Sequence, residues 1–331
     1  MKHNAGLITL EDLKQYKAVE RTPMHGAYRG FDVYTMPPPS SGGAALLEML
    51  NVLGRHDLAA SGYASSRTDH LMIEAMRRAF ADRAEFMGDP DFVTMPTKGI
   101  VSTSYAAEID HTIDLEHATP SSAIGHGKPQ PYESQQTTHF SVVDAAGNAV
   151  SNTYTLNMGF GSCATVPGAG FLLNDEMDDF TSKPGVPNGF GLIQGEANSI
   201  APRKRPLSSM TPTILTKNGK LYLVIGSPGG PTIINTVLQV ILNVVDHGMD
   251  LPRAIAAPRL HHQWLPDVAE LEPYAISEDV RAKLEAMGHA LSPHRSTNRW
   301  GDAEGILINP ITGERIGASD PRSSDAAAIG Y

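Results

Sequence analysis

The sequence predicts a fold of the mixed α/β class, with helices and strands segregated along the chain (α+β). Three observations carry this prediction. Apolar residues recur at helical spacing between Thr68 and Met87. Residues 118–136 are rich in Pro, Ser, Gly and Gln, which is typical of a linker. Directly after this linker, Thr137 opens a run of alternating apolar and polar residues, the pattern of a half-buried strand.

The composition argues against nucleic acid as a partner and against membrane insertion. The chain has 331 residues, 41% of them hydrophobic, so it can form one large domain or two of ordinary size. Its formal charge of -10 argues against nucleic acid as a partner, because phosphate binding needs clustered Lys and Arg. No apolar stretch is long enough for membrane insertion. We therefore expect a small polar substrate.

The N-terminus and the cysteine content leave the localisation unknown. Residues 1–7 lack the apolar segment of a secretory signal, so we expect none in this chain. Cys163 is the single cysteine, which excludes an intrachain disulfide, and we interpret it as incidental rather than nucleophilic.

Before the linker, the pattern predicts mainly helices. Thr9 to Asp12 has the form of a capping box and predicts a short helix. In the predicted helix 68–87 the charged residues lie outside the apolar face; they are Arg77, Arg78, Asp82 and Glu85. The other predicted elements are a strand at 31–36, a Pro/Gly loop at 37–43, and helices at 44–53 and 104–113.

After the linker, the pattern predicts mainly strands. Strands 137–145 and 149–157 form a hairpin that brings Thr137 close to Thr155. Residues 184–195 form a flexible loop that can cover a pocket. Asn218-Gly219 predicts a type I′ hairpin turn. The remaining elements are a Gly-rich turn at 226–231 that opens a helix to Val245, a helix capped by Ser277 that closes at Gly288, and a hairpin around 309–313.

A strand that begins with a hydroxyl residue after a linker is the arrangement that an N-terminal nucleophile requires. Cleavage before Thr137 would free its α-amine, which can then serve as base to its own hydroxyl. A β-prone Thr without a catalytic role is the ordinary alternative. His261 and His262 lack the spaced partners of a metal site, so we interpret them as packing residues and predict no metal.

Six segments together resemble the gamma-glutamyltransferase (gamma-glutamyltranspeptidase) family of N-terminal nucleophile hydrolases. They occur in the family's order, and the resemblance extends over essentially the whole chain. The segments are Gln136-Thr137-Thr138-His139, Tyr154-Thr155-Leu156-Asn157, 174–180, 205–210, 226–230 and 317–323.

The resemblance implies a catalytic role for several residues. Thr137 would be the nucleophile, released by self-cleavage between Gln136 and Thr137, and Thr155 would orient it. The backbone N–H groups of Gly229 and Gly230 would form the oxyanion hole.

The resemblance also implies how a substrate is bound. Asn157, Glu176 and Asp179 would hold an α-ammonium group, and Ser208 and Ser209 would donate to an α-carboxylate. Phe190 would lie in a lid where relatives often carry tyrosine. The substrate would be a small-molecule gamma-glutamyl amide such as glutathione, the acceptor an amino acid, a peptide or water, and no cofactor would be needed.

The implied fold is the αββα four-layer sandwich of this superfamily. Residues 1–136 would form the C-terminal part of a large subunit and 137–331 the small subunit, both within one structural domain and joined as a heterodimer after cleavage. We expect the sandwich to be incomplete, because the family's N-terminal portion, with an arginine for the α-carboxylate, is not in this chain; another chain could supply it. Bacterial members of the family that the chain resembles are typically periplasmic or extracellular.

Two other functions remain open from the sequence. A cephalosporin or glutaryl acylase would use the same nucleophile and oxyanion hole, although the acidic and Ser-Ser pairs favour an amino-acid head group. An inactive truncated fragment with a structural or partner-binding role is the non-enzymatic alternative.

Overall fold

The protein, seen in a computed structural model, is described over residues 6–127, 139–294, 300–324 and 326–330. A six-stranded antiparallel sheet forms its centre, with helices on one face and a two-stranded hairpin on the other. The predicted mixed α/β class is confirmed. Within the described residues the sandwich has three layers: helices, the large sheet and the hairpin.

The strands form three sheets. The large sheet has the order β1-β2-β5-β6-β10-β11, the hairpin pairs β3 with β4, and a small sheet has the order β7-β8-β9. Their bounds are β1 Met24–Tyr28, β2 Phe31–Thr35, β3 Phe140–Val143, β4 Ala149–Asn152, β5 Thr213–Lys217, β6 Lys220–Gly226, β7 Leu260–His261, β8 Ala269–Leu271, β9 Leu291–Pro293, β10 Glu304–Ile308 and β11 Arg315–Ser319.

The helices include all those predicted from periodicity. None of the described helices is both long and apolar enough to span a bilayer. Their bounds are α1 Leu10–Gln15, α2 Gly42–Leu53, α3 Leu58–Ser61, α4 Ser66–Phe86, α5 Thr97–Ile100, α6 Thr103–His111, α7 Thr232–Val245, α8 Leu251–Ala256 and α9 Glu278–Ala286.

One hydrophobic core lies between the helices and the large sheet. Leu46 of α2 and Phe80 of α4 belong to it, together with Leu215 of β5 and Ile241 of α7. Residues from both sides of the linker therefore share the same core. The subunit boundary at 136/137 remains a prediction, since it lies outside the described residues.

The hairpin β3–β4 packs on β6 and β10 through its polar inner face. Ser141 Oγ donates to the Glu304 carbonyl at 3.2 Å, and Ser151 Oγ donates to the Ile225 carbonyl at 3.1 Å. Its outer face carries Phe140, Val142 and Val150, which are 45–49% exposed. This alternation fits a strand pair that uses small hydroxyls to approach another sheet closely.

Local turn chemistry explains two predicted elements. Thr9 and Asp12 form the reciprocal capping box of α1. Asn218 and Gly219 have φ of 52° and 73°, as a type I′ turn between β5 and β6 requires. Ser277 precedes α9 as predicted, but its hydroxyl donates to the Asp279 carboxylate at 2.6 Å and makes no cap bond to the backbone.

Helix α4 differs from the simple amphipathic helix that its apolar face indicates. Arg77, Arg78 and Asp82 are buried as well. Arg78 pairs with Glu74 at 2.5 Å, and Asp82 accepts a hydrogen bond from the Tyr105 hydroxyl. Because neighbouring segments cover its polar side, α4 is surrounded by protein along most of its length.

Candidate active site

A cavity of about 600 Å³ opens between the end of the hairpin, the loop 184–195, the turn before α7 and the small sheet. Seven of the residues selected from the sequence line it, although they come from five separate segments. These residues are Thr155, Asn157, Asp179, Phe190, Ser209, Gly229 and Gly230. Glu176 and Ser208 lie just outside the lining, and Gln136 and Thr137 lie outside the described residues.

Thr155 follows strand β4 instead of lying in it. The prediction that this strand continues to Asn157 is wrong, because β4 ends at Asn152 and Asn157 has φ of 76°. Thr155 Oγ1 accepts the backbone N–H of Asn157 at 2.8 Å, which stabilises this turn. The turn directs both residues toward the cavity.

His139 is the first described residue after the linker, and it is buried against the large sheet. Its Nδ1 lies 3.2 Å from Thr153 Oγ1 and its Nε2 2.8 Å from Ser141 Oγ. A β-carbon at Gly226 would lie 2.2 Å from His139 Nδ1, so only glycine leaves room for the ring. Burial lowers the pKa of His139 to about 3, and the imidazole is therefore neutral.

The turn before α7 brings Gly229 and Gly230 to the wall of the cavity. Gly229 has φ of 130° and Gly230 has φ of 58°, conformations that favour glycine. The Gly229 carbonyl accepts from the Thr232 hydroxyl at 2.8 Å, which holds the turn. Within the described residues neither glycine N–H has an acceptor. Two unpaired donors at a helix N-terminus can stabilise a negatively charged oxygen.

The acidic residues Glu176 and Asp179 lie on one 3₁₀ turn, Glu176–Asp179. Burial raises the pKa of Glu176 to about 8, and the neighbouring Asp179 and Asp175 raise it further. Burial also raises the pKa of Asp179 to about 7, against the opposing effect of Arg83. Glu176 itself lowers the pKa of Asp179, and a cation beside these two buried carboxyls would favour the ionised form of both.

Ser208 and Ser209 both accept a hydrogen bond at the hydroxyl oxygen. The Met210 N–H donates to Ser208 Oγ at 3.0 Å, and Arg83 Nη2 donates to Ser209 Oγ at 3.4 Å. Only Ser209 lines the cavity. Ser208 is buried beneath it, where its carbonyl accepts from Ser41.

The loop 184–195 closes one side of the cavity. Asn188 Oδ1 accepts the N–H groups of Phe190 and Leu192 at 3.0 and 3.1 Å, forming a tight turn. Gln263 Nε2 donates to the Phe190 carbonyl at 3.4 Å. These contacts place the Phe190 ring against Gly230. The loop thus covers the turn that carries the free N–H groups.

Sequence reasoning missed two parts of the site. One is Arg83, whose position in α4 gives no local signal of contact with Ser209. The other is the wall from the small sheet: His261, Gln263, Glu270, His294 and Trp300. His261 is buried as the packing interpretation requires, yet it also lines the cavity. The described His, Cys, Asp and Glu side chains form no group suited to a metal.

Comparison with known proteins places this geometry in a family. A family model described as gamma-glutamyltranspeptidase matches residues 1–330. The glutathione hydrolase proenzyme of Escherichia coli (strain K12) is 51% identical over 331 residues, covering all of this chain and 56% of the relative. The acylase ACY 1 proenzyme of Pseudomonas sp. (strain V22) is 40% identical over 311 residues, covering 94% of this chain and 52% of the relative.

Solved structures agree with the fold. A cephalosporin acylase from Bacillus halodurans superposes over all of this chain and 57% of its own, with 27% identity and a TM-score of 0.84. A chain of a gamma-glutamyltranspeptidase from Pseudomonas nitroreducens matches over 59% of this chain and all of its own, with 50% identity and a TM-score of 0.55. These neighbours have the N-terminal nucleophile hydrolase fold.

The chain spans a little over half the length of the curated relatives that it matches. The match nevertheless extends from residue 1 to residue 330 and includes every segment that forms the cavity. The chain belongs to the gamma-glutamyltranspeptidase family.

Proposed function

We propose that this chain carries the nucleophile and most of the active site of a gamma-glutamyl acyltransferase and hydrolase. One observation carries the proposal: a single cavity combines two free backbone N–H groups with Asp179 and Ser209, which suit the two charges of an amino-acid head group. The substrate class is a gamma-glutamyl amide such as glutathione, and the acceptor is water, an amino acid or a peptide.

Maturation would begin with cleavage between Gln136 and Thr137. The freed α-amine of Thr137, with a reference pKa of about 8, then accepts the proton of the Thr137 hydroxyl. The two products, 1–136 and 137–331, remain together as a heterodimer, since residues from both contribute to one core.

Acyl transfer would follow in two balanced steps. The Thr137 oxygen attacks the γ-carbonyl carbon, the α-amine takes the hydroxyl proton, and the Gly229 and Gly230 N–H groups stabilise the oxyanion. The leaving amine takes that proton as the C–N bond breaks, which leaves a Thr137 ester. Water or an acceptor amine then attacks the ester carbon, its proton passing to the α-amine, and the C–O bond to Thr137 breaks as the Thr137 oxygen takes that proton and regains its hydroxyl. Losing one oxyanion donor costs on the order of 3 kcal/mol in the transition state.

The substrate's head group would bind on the opposite side of the cavity. Its α-ammonium approaches Asp179, with Glu176 and the Asn157 amide alongside, and its α-carboxylate accepts from Ser209, beneath which Ser208 is buried. A bound cation favours the ionised forms of both acids, whose pKa values burial raises to about 7 and about 8.

The place of Thr155 in the cavity supports a positioning role for this residue. Thr155 lines the same cavity as Gly229 and Gly230, the turn at which the oxyanion would form. As the residue that orients the nucleophile, Thr155 would contact the Thr137 hydroxyl in the mature enzyme.

Intact mass and turnover of the purified chain test this function. We expect two fragments from cleavage between Gln136 and Thr137, together with hydrolysis of a gamma-glutamyl anilide. Thr137→Ala should remain one full-length species and release no aniline. A wild-type chain that stays uncut and inactive would support the inactive-fragment alternative, and an active T137A variant would refute the assignment of the nucleophile.

A related acylase is the second candidate, favoured by the similarity to acylase ACY 1 and to the cephalosporin acylase. A glutaryl amide carries a carboxylate but no α-ammonium, so it would leave Glu176 and Asp179 without a cation. We therefore expect the gamma-glutamyl anilide to be hydrolysed faster than the glutaryl anilide. The reverse order would favour the acylase.

A further inference from the structure

Arg83 of helix α4 is fully buried directly behind the cavity. Its Nε donates to Ser41 Oγ at 2.9 Å, its Nη1 to Gln194 Oε1 at 3.2 Å and its Nη2 to Ser209 Oγ at 3.4 Å. All three acceptors are neutral. The guanidinium is therefore held in a fixed orientation by groups that do not compensate its charge.

A buried cation of this kind needs negative charge nearby, because its hydration has been lost. The Asp179 carboxylate acts on it: burial lowers the pKa of Arg83 to about 10, and Asp179 opposes that shift. Gln194 and Asn198 connect the two residues. Their side-chain amides donate to the Asp179 carbonyl at 3.1 and 2.7 Å, while Gln194 accepts from Arg83.

Ser209 carries the effect of Arg83 into the cavity. A serine hydroxyl has one hydrogen to donate and can accept at its oxygen. Since Arg83 donates to that oxygen, the Ser209 hydrogen points elsewhere, and within the described residues no acceptor takes it. A hydroxyl that receives a charge-assisted hydrogen bond becomes a better donor.

We propose that Arg83 is a positioning residue for recognition of the substrate's α-carboxylate: it polarises and orients the Ser209 hydroxyl and supplies a positive charge behind it. This inference rests on the proposed gamma-glutamyl specificity. It also gives the buried guanidinium a second counter-charge, the carboxylate of the bound ligand. Arg83 touches no reacting atom and acts through Ser209.

Three ligands separate this role from a purely structural one. L-Glutamate has both head-group charges, 4-aminobutanoate lacks the α-carboxylate, and glutarate lacks the α-ammonium. The ratio of the glutamate affinity to the 4-aminobutanoate affinity measures recognition of the α-carboxylate alone. General loosening of the pocket would weaken both ligands together and leave that ratio unchanged.

The experiment measures binding of these ligands by calorimetry to the purified chain and its variants, with hydrolysis of the matching anilides in parallel. We expect Arg83→Lys to lower the glutamate/4-aminobutanoate ratio about 10-fold, the scale of one lost charge-assisted hydrogen bond. In a Ser209→Ala background the same substitution should change the ratio less than 3-fold, because the hydroxyl through which Arg83 acts is gone.

The pH profile provides a second readout. Four neighbouring groups act on the Asp179 carboxyl: Arg83 and, through a side-chain hydrogen bond, Glu176 favour its ionised form, whereas Asp178 and Asp175 oppose it. Arg83→Met should therefore move the acid limb of kcat/KM to higher pH, whereas Arg83→Lys keeps the charge and should leave the limb in place. A substitution that only disturbs packing would not separate Lys from Met in this way.

Arg78→Lys is the matched control, since Arg78 is also a buried arginine of α4 but bonds to Glu74 and Thr112. It should leave the ligand ratio unchanged. If circular dichroism shows that the Arg83 variants do not fold, Ser41→Ala replaces them. This substitution removes the acceptor of Arg83 Nε and keeps the charge of Arg83. It should lower the glutamate/4-aminobutanoate ratio about 3-fold, a partial loss of one hydrogen bond.

The outcomes distinguish the two proposals. If the wild-type chain prefers glutamate and the glutamate/4-aminobutanoate ratio is unchanged in Arg83→Lys and Ser41→Ala, the proposed role of Arg83 is overturned. The proposed function would still stand. A wild-type chain that neither discriminates between the ligands nor hydrolyses the gamma-glutamyl anilide overturns the proposed function and, with it, this inference.

Discussion

The Phe190 ring packs on the backbone of Gly230 so closely that a β-carbon at position 230 would lie 2.9 Å from two ring carbons. The loop that covers the cavity therefore rests directly on one of the two glycines that present free N–H groups. Any side chain at position 230 would displace this loop, strain the turn, or both.

Gly230→Ala should lower kcat/KM for a gamma-glutamyl anilide by about 10- to 100-fold, less than the roughly 100- to 1,000-fold cost of removing an oxyanion donor, because the N–H group is displaced and not lost. Gly219→Ala is the matched control, because Gly219 also has a positive φ, 73°, but no atom lies near its β-carbon position. It should cost about 1 kcal/mol of stability and leave kcat/KM unchanged. Equal activity losses in both variants would contradict the importance of the Phe190 contact.

Asn188→Ala should open the same loop. The variant loses the acceptor of the Phe190 and Leu192 N–H groups, and with it the turn that directs the aromatic ring inward. We expect KM for the gamma-glutamyl anilide to rise about 5- to 20-fold, a loss of one to two hydrogen bonds, and limited proteolysis within 184–195 to accelerate. Asn148→Ala, which removes a turn asparagine that bonds to Asp144, should change neither measurement.

The pKa values of Glu176 and Asp179 predict how stability depends on pH. Burial raises them to about 8 and about 7 in the folded protein, whereas both lie near 4 in an unfolded chain. The folded state thus binds more protons between about pH 4 and pH 8, and the free energy of unfolding falls as pH rises through that window.

Glu176→Gln should make this fall shallower, because one of the carboxyls whose pKa is raised into this window is removed. Thermal unfolding of the ligand-free chain at several pH values between 4 and 8 measures the effect. Glu314→Gln, in the exposed turn between β10 and β11, should reproduce the wild-type slope. A wild-type slope in the Glu176 variant would show that Glu176 does not titrate in this range.

Asp320→Asn should destabilise the fold strongly. The buried Asp320 carboxylate accepts from Arg259 at 2.6 Å, from Arg322 at 2.9 Å and from the Ala303 N–H at 3.0 Å. Removing its charge leaves Arg259 buried without its partner, which costs about 3–5 kcal/mol. Urea unfolding measures this loss, and Asp91→Asn, at a half-exposed ion pair, should cost under about 1 kcal/mol.

The sequence correctly predicted those helices and turns whose signals lie in a short stretch of neighbouring residues. The capping box of Thr9 and Asp12, the Asn218-Gly219 turn and helix α4 depend on residues within a few positions of one another. Strand β1 was not predicted, because His25 and Gly26 interrupt its apolar pattern. The end of β4 was placed too late, because a strand-like alternation does not reveal that Asn157 adopts a left-handed conformation.

The site was only partly predictable, for a related reason. Asn157, Asp179, Ser209 and the glycine pair could be selected because their segments resemble a family. Arg83 could not, because its importance depends on a tertiary contact across 126 positions, from 83 to 209. The wall formed by Gln263 and Glu270 depends in the same way on the packing of the small sheet beside the cavity.

The hydrogen bond from Arg83 to Ser209 has a consequence for the stability of the mature assembly. Cleavage between Gln136 and Thr137 would place these two residues on different polypeptides, so the bond would become an intersubunit contact buried beneath the cavity. Subunits could then exchange between enzyme molecules only if this contact were broken and the guanidinium transiently exposed. Mixed populations of isotopically labelled and unlabelled enzyme should therefore remain unscrambled for as long as the site is intact.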